Sequence, residues 1–139
     1  MSLRGGKELR ARLKAIRQAF KPIGKVWADH TAESARRRVP VKTGRLKASI
    51  RRRNATQRKA TVVAHYSANF VDAGTKEHVI RARRAPRLVF EGRDGRTIFA
   101  KKVNHPRTRP QRFKREAADE GLRKTPMAEE LIKLWNSAA

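Results

Sequence analysis

The chain has 139 residues, of which 36 are Lys or Arg and 12 are Asp or Glu, so its formal net charge is +24. Hydrophobic residues make up 38% and charged residues 35%, which allows one modest core and favours a single small domain. No apolar run approaches the roughly 20 residues of a membrane span, and the lack of cysteine excludes disulfide scaffolds and thiolate metal sites. Residues 1–6 lead directly into charged residues, so we expect no cleavable signal peptide.

The charge is spread unevenly along the chain. Residues 34–71 contain no Asp or Glu, and residues 78–115 contain only Glu91 and Asp94. The C-terminal residues 116–139 instead carry more acids than bases. This pattern indicates contact with a polyanion, either a nucleic acid or an acidic protein surface.

The N-terminal segment, residues 1–38, has the apolar spacing of a helix. Six apolar residues follow one another at intervals of three and four, which predicts one helical stripe: Leu9, Leu13, Ile16, Phe20, Ile23 and Trp27. Pro22 predicts a kink in this helix. Val39-Pro40 predicts its end near Arg38, because the residue before a proline avoids helical angles.

The middle segment, residues 39–104, predicts an antiparallel sheet of about four strands. Alternating apolar residues from Leu46 to Ile50 predict one strand. Residues 51–59 are predicted to be a basic connection, and the β-branched and aromatic residues of 60–70 predict a second strand.

The clearest local signal lies in residues 88–100, where two apolar runs flank Asp94-Gly95. This sequence predicts a hairpin with a two-residue turn, because both turn positions tolerate a positive φ. The resulting register would place Phe90 opposite Phe99.

The C-terminal segment, residues 105–139, predicts two helices. The first covers about 110–124, and Thr125-Pro126 has the cap and first-turn residues that start the second. The order of helix, antiparallel strands and helix predicts an α+β fold in a single domain, residues 1–139.

No cluster of residues predicts catalysis. His30, His65, His78 and His105 lack the spacing of metal ligands, and no glycine-rich phosphate loop is present. The few acids do not form the carboxylate cluster that a metal nuclease needs. We therefore predict no enzyme, no cofactor and no catalytic or metal site.

Two arginine triplets are the candidate polyanion contacts: Arg36, Arg37, Arg38, Arg51, Arg52 and Arg53. Their partner is either DNA or an acidic protein, and a merely solvated helix end and basic loop is the third possibility. Because the sequence has no zinc finger and no RNP motif, any contact with DNA would be made through phosphates, independent of base sequence and weakened by salt.

Three segments resemble signatures of the neck and tail-completion proteins of long-tailed phages. Residues 39–50 resemble the pattern P-x-x-T-G-x-L-x-x-S-I, residues 66–75 a strand that ends in Gly-Thr, and residues 105–113 a His-Pro segment before the final helix. The positions that carry the resemblance are Pro40, Thr43, Gly44, Leu46, Tyr66, Gly74, Thr75, His105, Pro106, Pro110 and Phe113.

The resemblance implies a structural virion protein at the head–tail junction, present in the host cytoplasm during assembly. It implies a homo-oligomeric ring, a hexamer or larger, with phage head-completion and tail proteins as neighbours and with possible nonspecific DNA contact. Membranes would play no part. The charge split adds the hypothesis that the acidic C-terminal helix of one subunit meets the cationic middle of the next.

Two other functions stay open on the sequence alone. One is a basic, sequence-nonspecific nucleic-acid-binding protein that acts as a monomer. The other is a phage-encoded inhibitor of an acidic host protein. The motifs themselves also fit the turn chemistry that any small α+β domain requires.

Overall fold

A computed structural model describes residues 5–137 as an α+β fold with a long N-terminal helix, small antiparallel sheets and a C-terminal helix. The predicted fold class is therefore confirmed. Residues 1–4, which belong to the segment considered for a signal peptide, lie outside the described residues. Contacts within the chain define two compact units, the first made of residues 1–68 and 112–139 and the second of residues 69–111. The single domain stays a prediction.

Eleven helices and strands follow one another in the described part of the chain. In order, they are α1 (Gly6–Arg38), α2 (Arg45–Ser49), β1 (Arg51–Ala55), β2 (Ala60–Val63), α3 (Ala68–Ala73), β3 (His78–Arg81), β4 (Leu88–Glu91), β5 (Thr97–Ala100), β6 (Lys102–His105), α4 (Phe113–Lys124) and α5 (Met127–Ser137).

Helix α1 is the longest element of the first unit, and α4, α5, β1 and β2 all pack against it. Its 33 residues give it a length of about 50 Å. Pro22 lies inside this helix and does not end it. The predicted apolar stripe is only partly buried: Ile23 is buried, whereas Leu9 and Leu13 are half exposed.

Small residues, rather than the large apolar ones, form the packed face of α1. Ala28, Ala32 and Ala35 are buried on α1, and Ala117 and Gly121 are buried on α4, which packs against it. A side chain no larger than alanine lets two helix backbones approach closely, so this core depends on close contact rather than on bulk.

The strands form three separate two-stranded sheets and not the single four-stranded sheet that we predicted. Antiparallel pairs join β1 to β2, β3 to β6, and β4 to β5. Within the described residues, each strand therefore pairs with one other strand and has one unpaired edge. The local β4–β5 hairpin lies between β3 and β6 in sequence.

The predicted strand at Leu46–Ile50 is wrong, because residues Arg45–Ser49 form helix α2 and the strand β1 begins at Arg51. Leu46 and Ile50 are four residues apart, which fits one face of a helix as well as it fits alternation in a strand. Arg, Leu, Lys and Ala are also strong helix formers. Gly44, at φ +76°, starts this helix.

The hairpin at residues 88–100 is confirmed, but its register differs from the prediction by one residue. Phe90 pairs with Ile98, and Val89 pairs with Phe99. The amide of Gly95 donates to the carbonyl of Gly92, and Gly95 has φ +77°. The loop therefore has three residues, a tight turn followed by a left-handed glycine, and the added residue shifts every cross-strand pair.

Candidate functional site

The first arginine triplet, Arg36 to Arg38, occupies the last turn of α1 and is used inside the chain. Arg36 Nε donates to the carbonyl oxygen of Ile50 at 2.9 Å, which brings the end of α1 beside the start of β1. Arg37 and Arg38 donate to the carboxylate of Glu120 on α4, each at 2.5 Å.

Glu120 is the acceptor at the centre of this network. Its carboxylate also accepts hydrogen bonds from Ser34 Oγ at 2.6 Å and forms an ion pair with Lys124 Nζ at 2.8 Å. The hydrogen bonds from Lys124, Ser34 and Arg38 hold the pKa of Glu120 well below its usual range. The hydrogen bond to Glu120 in turn raises the pKa of Arg38. Arg37 and Arg38 thus act as ties between α1 and α4.

The second triplet, Arg51 to Arg53, lies on β1 and is only partly engaged. Arg52 Nε pairs with Asp29 Oδ1 on α1 at 2.8 Å. Arg53 lies at a bulge, where the register between β1 and β2 shifts. Arg51 and Arg53 are exposed and form no ion pair with the described residues 5–137. The structure brings the two triplets together, with four of the six arginines bound by their own chain.

The first motif segment, residues 39–50, connects the end of α1 to the start of β1 and contains α2. Pro40 follows the end of α1, and Leu46 is half-buried on α2. Ser49 Oγ donates to the carbonyl of Leu46 at 2.7 Å and accepts a hydrogen bond from the amide of His65 at 2.8 Å. Ile50 is fully buried. Thr43 and Pro40 are exposed.

The second and third motifs meet in the second unit. Thr75 and Thr108 form a bridge: their backbone groups exchange hydrogen bonds, and their hydroxyl oxygens lie 2.8 Å apart. Gly74 has φ +71°, and a Cβ there would overlap the carbonyl oxygen of Thr108 and lie 2.9 Å from the nitrogen of Pro110. Only glycine fits this approach.

The remaining motif positions do not take part in this bridge. Tyr66 is mostly exposed, whereas Phe113 is buried at the start of α4 in the first unit. His105 pairs with His78 across the β3–β6 ladder, and the two rings stack with centroids 5.0 Å apart. Pro106 follows β6 directly. No group of three His, Asp or Glu side chains within residues 5–137 is arranged to hold a metal ion.

Sequence reasoning missed the exposed apolar surface of the second unit. Every residue from 69 to 111 is described, and none of them is fully buried. The large apolar side chains that are exposed in this unit are Phe70, Val79, Ile80, Val89, Phe90, Ile98 and Phe99. One signal for this surface was present: two adjacent apolar residues in each strand of a hairpin place apolar groups on both faces, and not on one.

Comparisons with known proteins return nothing for this chain: no protein-family model, no curated protein and no solved structure matches it significantly. Among the helices within residues 5–137, none combines the length and hydropathy needed to span a bilayer.

Proposed function

We propose that this protein is a structural subunit of a tailed-phage particle, which assembles into a ring at the head–tail junction. The three motif segments support this proposal because they resemble the neck and tail-completion proteins in order and spacing. The ring would contact head-completion proteins on one side and tail proteins on the other, and the subunits would wait in the host cytoplasm before assembly.

The observation that carries the proposal is the uncovered β4–β5 hairpin. Val89 and Phe99 face each other across the ladder and are 62% and 60% exposed, while Phe90 and Ile98 form a second exposed pair. An isolated two-stranded hairpin is marginally stable in water. Covering Val89 and Phe99, which are about 60% exposed, would contribute about 1–2 kcal/mol each, so a neighbouring subunit on that face would stabilise the hairpin.

A second copy of this chain is the occupant that we assign to the hairpin. Two identical subunits in a head-to-tail contact use different surfaces, and a closing rotation turns that contact into a ring. The cationic second unit would repel itself, so the surface that receives it should carry acids. Glu129 and Glu130 on α5 supply them, and Glu129 has no ion-pair partner among the described residues.

A monomeric, sequence-nonspecific nucleic-acid-binding protein is the second candidate. The net charge of +24 favours it. This reading provides no role for exposed Val89 and Phe99, and it predicts a monomer in solution, so oligomeric state separates the two candidates.

Deletion of the gene in its phage, followed by electron microscopy of lysates, tests the proposed function. We expect DNA-filled heads and separate tails, because the joint between them would be missing. The intact gene supplied in trans should restore joined particles. Normal infectious particles made without the protein would refute the proposal.

A further inference from the structure

We propose that the basic end of the β3–β6 ribbon binds the phosphate backbone of duplex DNA without reading its sequence. This surface, named here the ribbon-end cluster, consists of Arg81, Arg83, Arg84, Arg87, Lys101 and Lys102. It lies wholly within the second unit, and it does not include any of the arginines in the two triplets. The inference holds whether or not the chain forms a ring.

The backbone of the second unit brings these cations together. Arg81 pairs directly with Lys102 across the ladder, and the amide of Ala82 donates to the carbonyl of Lys101 at 3.1 Å. Leu88, at the other end of the loop, pairs with Ala100. The two ends of the loop 82–88 are therefore held by Lys101 and Ala100, which are adjacent in the sequence.

The length of the loop limits how far its arginines lie from those anchors. A chain extends by at most about 3.5 Å per residue, so no backbone position of residues 83–87 is farther than about 10 Å from an anchored end. That distance is close to the screening length of about 8 Å at physiological salt. The backbone positions that carry the six positive charges consequently lie in one small region of the second unit.

The cluster has no internal counter-charge. Residues 78–90 and 95–115 contain no Asp or Glu, and no cation of the cluster forms an ion pair with any residue in the described range 5–137. Like charges directly opposite in a ladder are destabilising, as at Arg81 and Lys102. Arg37, Arg38 and Arg52 of the first unit, by contrast, are all paired with carboxylates. An external polyanion would relieve the repulsion in the cluster.

The side chains of the loop favour duplex DNA over other polyanions. Apart from its arginines, the stretch 82–87 contains only Ala82, Ala85 and Pro86. It therefore has no aromatic ring on which the bases of a single strand could stack. It has no Asn or Gln, the side chains that read adenine, and the loop itself carries no large apolar side chain of the kind that anchors protein interfaces. What remains is contact with regularly spaced phosphates, to which Arg is well suited.

Fluorescence anisotropy with a labelled duplex of mixed sequence tests this inference on the full-length protein. The variant R83Q/R84Q/R87Q removes three charges from the cluster. The matched control K14Q/R17Q/K21Q removes three exposed cations from α1, none of which forms an ion pair within the described chain. Circular dichroism confirms that both variants fold.

We expect the wild-type protein to bind, with log K falling linearly against log salt. The loss of three phosphate contacts should weaken binding by on the order of a hundredfold at about 0.1 M salt and reduce the salt slope by about 2 to 3. The control should keep the wild-type slope. Three results would overturn the inference: no binding of the duplex at low salt, equal loss in both variants, or competition by poly-glutamate as effective as that by DNA of equal charge.

Discussion

At the scale of single residues, Glu120 shows how this basic chain uses its few acids. One carboxylate that is mostly buried ties Arg37 and Arg38 of α1 to Lys124 of its own helix. A buried acid with several charged donors stabilises only while it is ionised. Arg37 and Arg38, two of the six arginines that the sequence offered as ligands for an external polyanion, thus hold two helices together.

The depressed pKa of Glu120 predicts a specific dependence of stability on pH. A group whose pKa is lower in the folded state contributes stability above its unfolded pKa of about 4.3, and this contribution is lost as the pH falls through the folded value. We therefore expect the melting temperature of the wild-type protein to fall as the pH is lowered from 5 to 3.

The variant E120Q should be less stable than the wild type at pH 7, and it should lose less stability on acidification, because its amide does not titrate. E129Q is the matched control, since Glu129 is exposed and has no ion pair among the described residues. Thermal melts at both pH values provide the measurement. Parallel pH profiles for E120Q and the wild type would contradict the role given to Glu120.

At the scale of elements, the contact between α1 and α4 depends on the lack of a side chain at Gly121. A Cβ at this position would overlap the hydroxyl of Thr31 and lie 3.1 Å from its Cα. Both Thr31 and Gly121 are buried, so the two helices would have to move apart.

We expect G121A to destabilise the first unit by roughly 1–3 kcal/mol through overpacking, even though alanine is the better helix former. G6A is the control, because nothing lies within 4 Å of a Cβ at Gly6. Urea unfolding followed by tryptophan fluorescence reports on this unit, which contains Trp27 and Trp135. Equal stability of G121A and G6A would show that the contact is not tight.

The acidic helix α5 gives a prediction about assembly at the same scale. Reversing its charges with E129K/E130K should weaken the proposed ring most at low salt, because the lost attraction is electrostatic and is screened by ions. The control E8K/D119K changes the net charge equally at two exposed acids elsewhere. Sedimentation velocity at several salt concentrations separates them. Unchanged assembly of E129K/E130K would refute the hypothesis that α5 meets the cationic unit.

Local patterns predicted six of the eleven elements with the correct type, namely α1, β2, β4, β5, α4 and α5. They missed α2, they missed β1 within the predicted connection 51–59 and α3 at the end of the predicted strand 60–70, and they missed β3 and β6. The periodicity of α1, the turn chemistry at Gly95 and the break at Thr125-Pro126 are properties of neighbouring residues, and each correctly located an element. The pairing of β3 with β6 depends on residues more than 20 positions apart, which no local pattern encodes. The spacing of Leu46 and Ile50 fitted two structures equally well.

The contacts of the candidate residues were harder to predict than the fold, for a similar reason. Arg37 and Arg38 are conspicuous in the sequence, but Glu120, the carboxylate that binds both of them, is more than 80 residues away. A run of charge does not reveal which of its members are already paired. The exposure of Val89 and Phe99 likewise follows from the absence of a covering layer, and composition alone does not report that absence.

At the scale of the whole molecule, the two units differ in how much apolar surface they bury and in how many of their cations are paired with acids. The first unit has a core of small residues and pairs several of its arginines with acids. The second unit has no fully buried residue, and its Lys and Arg side chains and most of its large apolar side chains are exposed. We interpret the first unit as the part that stabilises the fold and the second unit as the part that contacts partners.

The mass of the purified protein in solution, measured by light scattering, tests this account most directly. We expect the wild type to form a closed oligomer of several 15.9 kDa subunits. V89T/F99T, which places strand-favouring threonine at both positions but removes the more exposed of the two apolar pairs, should be a folded monomer. The control L9Q/V41T, which removes two exposed apolar side chains elsewhere, should assemble normally. A monomeric wild type at all concentrations, or an oligomer that survives V89T/F99T, would contradict the account.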